Sequence, residues 1–351
     1  MNITISGTGS AIPNEIITNE SFTAHHFLDE NGSPFSVAPE EIIAKFSSIT
    51  GIKERRYASP NINSSDLATI AAEKAIASAR VDQETIDYII VAHNFGDTQT
   101  GTTQSAPLPS IASKVKTNLG IANPNCVAYD ILFGCPGWVE GVIQSTAFIK
   151  ANMAKKCLVI GAETLSRVVD PSDRDGMIFA DGAGATLIET KAGKAGVLSH
   201  KTVTYTANNE IDMLYYDYSY DPKNKTKYIK MKGRKVYEFA LTHVPQAMKA
   251  CFDASEVDID DLKKIFIHQA NMKMDEAIVK RFFRLYKKPI PEHVLPMNIQ
   301  EHGNSSVATI PTLYDQVINN ELANHQLNKG DIVLFASVGA GMNINAITYR
   351  V

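Results

Sequence analysis

The feature that most constrains the fold is an alternation. Short apolar runs rich in β-branched residues recur along the chain, each next to a longer stretch with helical spacing. "IDYIIVAH" (86–93), "KCLVIGAE" (156–163), "KKIFIHQA" (263–270) and "DIVLFASV" (331–338) are runs of the first kind. "SSDLATIAAEKAIASAR" (64–80), "GRKVYEFALTHVPQAMKACF" (233–252) and "NSSVATIPTLYDQVINNEL" (304–322) are of the second, and two serines open the first of them as possible caps. Buried strands alternating with helices predict a layered α/β architecture. The order repeats. A helix leads to "YIIVAH" and then "VAYDILFG" in one half, and to "KIFIHQA" and then "DIVLFASVGAG" in the other. No Gly/Ser linker separates the two, which predicts a tightly fused pair, 1–190 and 191–351. The irregular segment 208–235, rich in Tyr, Lys, Asn and Asp, reads as an excursion on the second half.

The 351 residues suffice for two core-bearing halves. A net charge of −4 offers no global attraction to nucleic acid. The start "MNITISGTGSAIPNEIIT" lacks the basic and apolar regions of a signal peptide. No apolar run approaches the roughly 18 residues that span a bilayer. The expectation is a soluble, cytoplasmic protein with neither membrane nor nucleic acid as partner.

Chemistry concentrates at "YDILFGCPGW" (129–138). Cys126, Cys135, Cys157 and Cys251 form no CxxC pair, so neither a zinc site nor a thioredoxin-type motif is expected. A cysteine is ordinarily a small buried hydrophobe. Cys135, however, follows an apparent buried strand, "CVAYDILFG", and precedes "PGWVEGVIQSTAFIKAN", which has helical spacing. Pro136 then fits the first helical position and Cys135 the N-cap. Unpaired N–H groups and the positive end of the helix dipole favour a thiolate there. A nucleophilic cysteine needs an imidazole. His268 ends a strand run, where α/β sheets gather functional groups. His302 and Asn304 lie in "EHGNSS", with Asn304 a possible cap of the next helix. Cysteine, histidine and asparagine alone could equally indicate a papain-like protease.

The ordered signatures narrow the choice. "TGIKERRYA" (50–58), "NLGI" (118–121), "RVVDPSDRDGMIFADGAGATLIE" (167–189), "MKGRKVYEFA" (231–240), "HQAN" (268–271), "HGNSS" (302–306) and "VGAGM" (338–342) resemble, nearly end to end, the β-ketoacyl-[acyl-carrier-protein] synthase III family of the thiolase superfamily. The resemblance implies a five-layered αβαβα fold of two duplicated halves, as a homodimer. It implies a decarboxylative Claisen condensation of an acyl thioester with malonyl-acyl carrier protein in fatty acid biosynthesis. Cys135 would carry the acyl group, and His268 and Asn304 would stabilise the enolate. The backbone N–H groups of Cys135 and Ala340 would form the acyl-enzyme oxyanion hole. Asn271, Lys273 and Arg167 would bind substrate. No metal and no bound cofactor is expected; coenzyme A and phosphopantetheine thioesters enter as substrates. Related readings are a starter or ketide condensing enzyme of secondary metabolism and a hydroxymethylglutaryl-CoA synthase type, for which no acidic base near the nucleophile is evident. A non-condensing acyl-binding protein or cysteine hydrolase is the reading from another class.

Departures from the family pattern cluster around the substrate. Lys45 and Ile49 stand where the family often has Trp and Arg to clamp the coenzyme A adenine. Lys273 replaces a common Arg, and Ala340 a glycine. "KNKTKYIKMKGRK" (223–235) carries seven basic residues and no acid, and "KRFFRLYKK" (280–288) five more. Lys280, Arg281 and Arg284 are therefore expected to dock an acidic acyl carrier protein, in preference to coenzyme A as donor.

Overall fold

The computed structural model describes residues 2–351. One sheet has five strands in the order β1 (Asn2–Ala11), β9 (Asp181–Lys191), β8 (Lys156–Thr164), β4 (Tyr88–Ala92), β7 (Val127–Ile131). A second has four, in the order β10 (Gly196–Thr204), β15 (Asn343–Arg350), β14 (Ile332–Gly339), β13 (Leu262–Ile267). Two-stranded ribbons pair β2 (Glu15–Thr18) with β3 (Glu54–Tyr57), β5 (Asp97–Thr98) with β6 (Ser105–Ala106), and β11 (Leu214–Tyr218) with β12 (Lys227–Met231). The last is a hairpin inside the Tyr- and Lys-rich excursion.

The repeat hinted at by element order is a repeat of strand pairing. In the first sheet β1–β9 and β9–β8 are antiparallel, then β8–β4 and β4–β7 parallel. In the second β10–β15 and β15–β14 are antiparallel, then β14–β13 parallel.

Apolar faces dictate the layers. Helices α2 (Ser64–Ala79) and α3 (Ile111–Asn118) bury against the outer face of the first sheet. Helices α5 (Gly233–Asp253) and α6 (Met272–Leu285) cover the outer face of the second. Between the sheets lie α4 (Gly137–Lys150) and α8 (Thr309–Ile318), whose Trp138, Val142, Leu313 and Val317 meet residues of both. The result is the five-layered αβαβα, thiolase-like fold expected from the sequence. Rings weld the middle layer: Trp138 meets Phe335 edge-on with centroids 5.6 Å apart, and Tyr314 meets Phe266 at 5.2 Å. Helix α1 (Pro39–Thr50) and the single turn α7 (Ile299–His302) flank these layers. No helix among the described residues is long and apolar enough to cross a membrane.

Three local expectations need correction. The serines opening α2 do not cap it: Ser64 Oγ donates to Gly96 O and Ser65 Oγ to Asp97, while Asn63 precedes the helix and donates its N–H to Asp66 Oδ2 at 2.8 Å. The strand after Cys126 is not buried. It forms the edge of its sheet, with Val127 45% and the following Leu132 69% exposed. The helix expected over 304–322 begins only at Thr309, after a 3-10 turn at Ser306–Ala308.

Candidate active site

The functional candidates arrive from the carboxyl ends of parallel strands, where chain direction changes and side chains are free of the ladder. Cys135 follows β7, His268 directly follows β13, and Ala340 directly follows β14. Asn304 follows α7. The helix after Cys135 starts one residue later than expected. Gly137 N–H donates to Gly134 O at 3.0 Å, so a tight turn precedes α4 and Pro136 is its cap residue. That turn presses on the end of β14. A Cβ on Gly339 would lie 2.4 Å from Cys135 N, and one on Gly134, at φ +67, would lie 2.7 Å from Ala340 N. Only glycine permits so close an approach. It puts the backbone amides of Cys135 and Ala340 side by side.

Ser306 is the hub of the site. Its Oγ donates to Cys135 Sγ at 3.2 Å, and its N–H donates to Asn304 Oδ1 at 2.8 Å. Its backbone also lies against the His268 ring, where it favours the protonated imidazole. Ser306 holds φ +53, the left-handed region that non-glycine residues occupy only when their surroundings enforce it. Because a backbone N–H must meet oxygen, the Asn304 amide is oriented with Nδ2 left as a donor. His268 is 3% and Asn304 4% exposed.

Burial sets the protonation states. Desolvation lowers His268 to about 4, so at neutral pH it is an uncharged imidazole with one donor and one acceptor nitrogen. Desolvation raises the Cys135 thiol to about 11; the Ser306 hydroxyl opposes this, and the carboxylate of Glu163 adds to it. The sequence reading expected the helix terminus to favour thiolate. Cys135 instead sits just before the cap residue, partly exposed, and desolvation outweighs the helix terminus: the thiol is raised, so the resting group is the thiol.

The other sequence candidates are spread over several surfaces. A cavity of about 370 Å³ is lined by Asn271, Lys45 and Ile49, together with Arg174 and Arg234. Asn271 also caps α6, accepting from Met274 N–H at 3.0 Å. Arg167 lies elsewhere, on a cavity of about 950 Å³, where it donates to Asn63 Oδ1 and to the carbonyls of Thr98, Ser59 and Ile62. Four of its five N–H groups fasten loops, which leaves Nε–H alone for a ligand. Arg174, the last residue of "DPSDR", lines the smaller cavity beside Arg234, with its guanidinium 4.5 Å from the Phe35 ring centre. The motif was visible in sequence, but not which arginine lines which cavity.

Lys273, Lys280, Arg281 and Arg284 are exposed along α6. Arg281 has a second duty. Pro245 in α5 lacks the N–H that would reach Leu241 O, and Arg281 Nη1 donates to that carbonyl at 2.8 Å. The other basic segment is not all surface: Lys230 is buried, 2.5 Å from Asp170 and 3.3 Å from Asp173. Among the described residues no cluster of His, Cys, Asp or Glu is arranged to hold a metal ion.

Two duplicated α/β halves meeting at a cysteine, with histidine and asparagine from the second half, define a thiolase-like condensing enzyme. Comparison with known proteins is more specific. Residues 129–206 match the family model of 3-oxoacyl-[acyl-carrier-protein (ACP)] synthase III, and residues 252–351 match its C-terminal model. A β-ketoacyl-[acyl-carrier-protein] synthase III from Erythrobacter litoralis is 30% identical over 99% of this chain and 98% of its own length. The synthase III 1 of Vibrio vulnificus is 32% identical over 99% and 98%. The crystal structure of the Aquifex aeolicus 3-oxoacyl-[acyl-carrier-protein] synthase III superposes with a TM-score of 0.82, at 28% identity, over 99% of this chain and 100% of that one. The chain belongs to the β-ketoacyl-[acyl-carrier-protein] synthase III family.

Proposed function

We propose that the chain is an acyltransferase that condenses an acyl thioester with malonyl-acyl carrier protein, with loss of carbon dioxide, in fatty acid biosynthesis. The observation that carries the assignment is the convergence of Cys135, His268 and Asn304 on one residue, Ser306. Cys135 Sγ attacks the acyl carbonyl, and the departing thiol takes the proton that Cys135 gives up. The paired amides of Cys135 and Ala340 receive the charge on the carbonyl oxygen. Asn304 Nδ2 and the neutral His268 then donate to the malonyl thioester oxygen as decarboxylation leaves an enolate. That enolate attacks the acyl-Cys135 carbonyl, forms the new carbon–carbon bond and releases the sulfur.

The donor enters by the cavity that Asn271, Arg174 and Arg234 line, and its phosphate groups suit those guanidinium groups. Lys45 supplies charge there but no stacking plane, so carrier protein is the preferred donor over coenzyme A. The exposed cations of α6 provide its docking face. The chain works as a homodimer through the edge strand β7, supported by exposed Val127 and Leu132 and by Leu108, 84% exposed. The test is reconstitution with acyl-CoA or acyl-carrier protein and malonyl-carrier protein. β-Ketoacyl carrier protein and carbon dioxide in equal amounts are expected; free acid from hydrolysis, with no ketoacyl product, would overturn the proposal. Charge reversal at Lys280 and Arg284 should slow carrier-delivered acylation alone, and the effect should fade as salt shortens the reach of charge to about 10 Å at 0.1 M.

A further inference from the structure

Beyond Ser306 the polar contacts continue away from the nucleophile through two groups, Asn94 and Glu163, that have no part in the scheme above. Asn94, just past β4, donates both its N–H and its Nδ2 to Glu163 Oε1, at 2.7 and 2.5 Å. The same Nδ2 donates to Ser306 Oγ at 3.0 Å, and Ser306 Oγ donates to Cys135 Sγ at 3.2 Å. Glu163, near the end of β8, is 0% exposed, and its Oε2 has no protein partner. The direction of every bond is fixed from the far end. Glu163 Oε1 already accepts the Asn94 backbone N–H, and once ionised the carboxylate only accepts, so the Asn94 amide turns its nitrogen inward. That nitrogen occupies a lone pair of the Ser306 hydroxyl, whose proton is then left for sulfur.

We propose that Glu163, Asn94 and Ser306 form a positioning chain that keeps a hydroxyl donor aimed at the Cys135 sulfur throughout the reaction. This rests on Cys135 being the nucleophile. The donor serves twice. It stabilises the thiolate as the acyl carbonyl is attacked. It stabilises the same sulfur again when the enolate's carbon–carbon bond forms, the carbon–sulfur bond breaks and its electron pair returns to Sγ. Ser306 touches the reacting atom; Asn94 and Glu163 act through it. No clear acidic partner for the nucleophile was evident in sequence. The structure supplies one, three hydrogen bonds removed from the sulfur.

The two ends of the chain act on the thiol with opposite sign. The Ser306 hydroxyl favours the thiolate, whereas the negative charge of Glu163 opposes it. Glu163 is itself raised to about 7, chiefly by burial, with His93 lowering it and Asp181 raising it. His93 is paired with Asp130 at 3.0 Å, and the nearby His268 is neutral.

The experiment is the pH profile of iodoacetamide alkylation, mapped to each cysteine, on the full chain. Ser306→Gly removes the hydroxyl and suits the left-handed backbone; Ser306→Ala removes it without that relief. Both should move the Cys135 midpoint upward by about one pH unit, the scale of a hydrogen bond to a charged group. Glu163→Gln keeps an oxygen for Asn94 and removes the charge, so it should move the midpoint downward. Asn94→Ala should follow the serine variants. Shifts of the same sign in Ser306→Gly and Glu163→Gln, or no shift in either, would overturn the proposal. Labelling of another cysteine first in the unmodified chain would instead overturn the nucleophile assignment on which it rests.

Discussion

The enolate-stabilising role proposed for Asn304 can be isolated from everything else the residue does. Its Oδ1 accepts the Ser306 N–H at 2.8 Å and its Nδ2 is the free donor. Asn304→Ala removes both. Asn304→Asp keeps the acceptor and turns the donor into a second oxygen. Loss of one oxyanion donor costs about 10²–10³ in rate, or about 2.7–4 kcal/mol. Both variants should therefore release carbon dioxide from malonyl thioester at least about 10²-fold more slowly. Both should still take an acyl group onto Cys135, because the Ser306 donor and the two backbone amides remain. The aspartate, at a site 4% exposed, will have a raised pKa and carry a hydroxyl donor when protonated. Its decarboxylation rate should partly recover as pH falls, and that of the alanine variant should not. The assay pairs carbon dioxide release with intact mass of the acyl-enzyme. An Asn304→Ala variant that decarboxylates at the unmodified rate would refute the role.

Other expectations follow from particular contacts. Gly339→Ala sets a methyl group 2.4 Å from Cys135 N. It should abolish acylation, read by intact mass, while far-ultraviolet circular dichroism stays native. His268 falls from 6.5 to about 4 on burial, so the unfolded chain binds the extra proton between those pH values. Its stabilising contribution is complete above pH 6.5 and is lost towards pH 4. His268→Gln should therefore remove about 3 kcal/mol of acid destabilisation from denaturant titrations across that window. Lys230→Met strands Asp170 and Asp173 as buried unpaired carboxylates and should cost about 3–5 kcal/mol by the same method.

Much of this was legible in the sequence, for identifiable reasons. Cys135, His268 and Asn304 sit at strand ends and turns, whose composition is distinctive. The layers follow from apolar runs too long and too regular to be anything but core. What stayed hidden depends on assembly. The run after Cys126 is as apolar as any buried strand; its exposure comes from its place at the edge of the sheet, which no local pattern records. Ser306 reads as a helix-start serine, because its function lies in a left-handed turn and in partners 171 residues away. Arg167 and Arg174 are seven positions apart in one motif, and only packing decides which is tied to loop carbonyls on one cavity and which lines the other. Lys230 lies in a basic run yet is a core residue, since Asp170 and Asp173 come from another segment.

The central claim is that Cys135 holds an acyl group that only a malonyl donor removes productively. Intact mass of the full chain after mixing with an acyl thioester tests this directly. The account predicts a single adduct equal to the acyl group, mapped to Cys135, stable until malonyl-carrier protein is added and then lost as ketoacyl product appears. An adduct on Cys126, Cys157 or Cys251, or one that water removes as fast as the malonyl donor does, would contradict it.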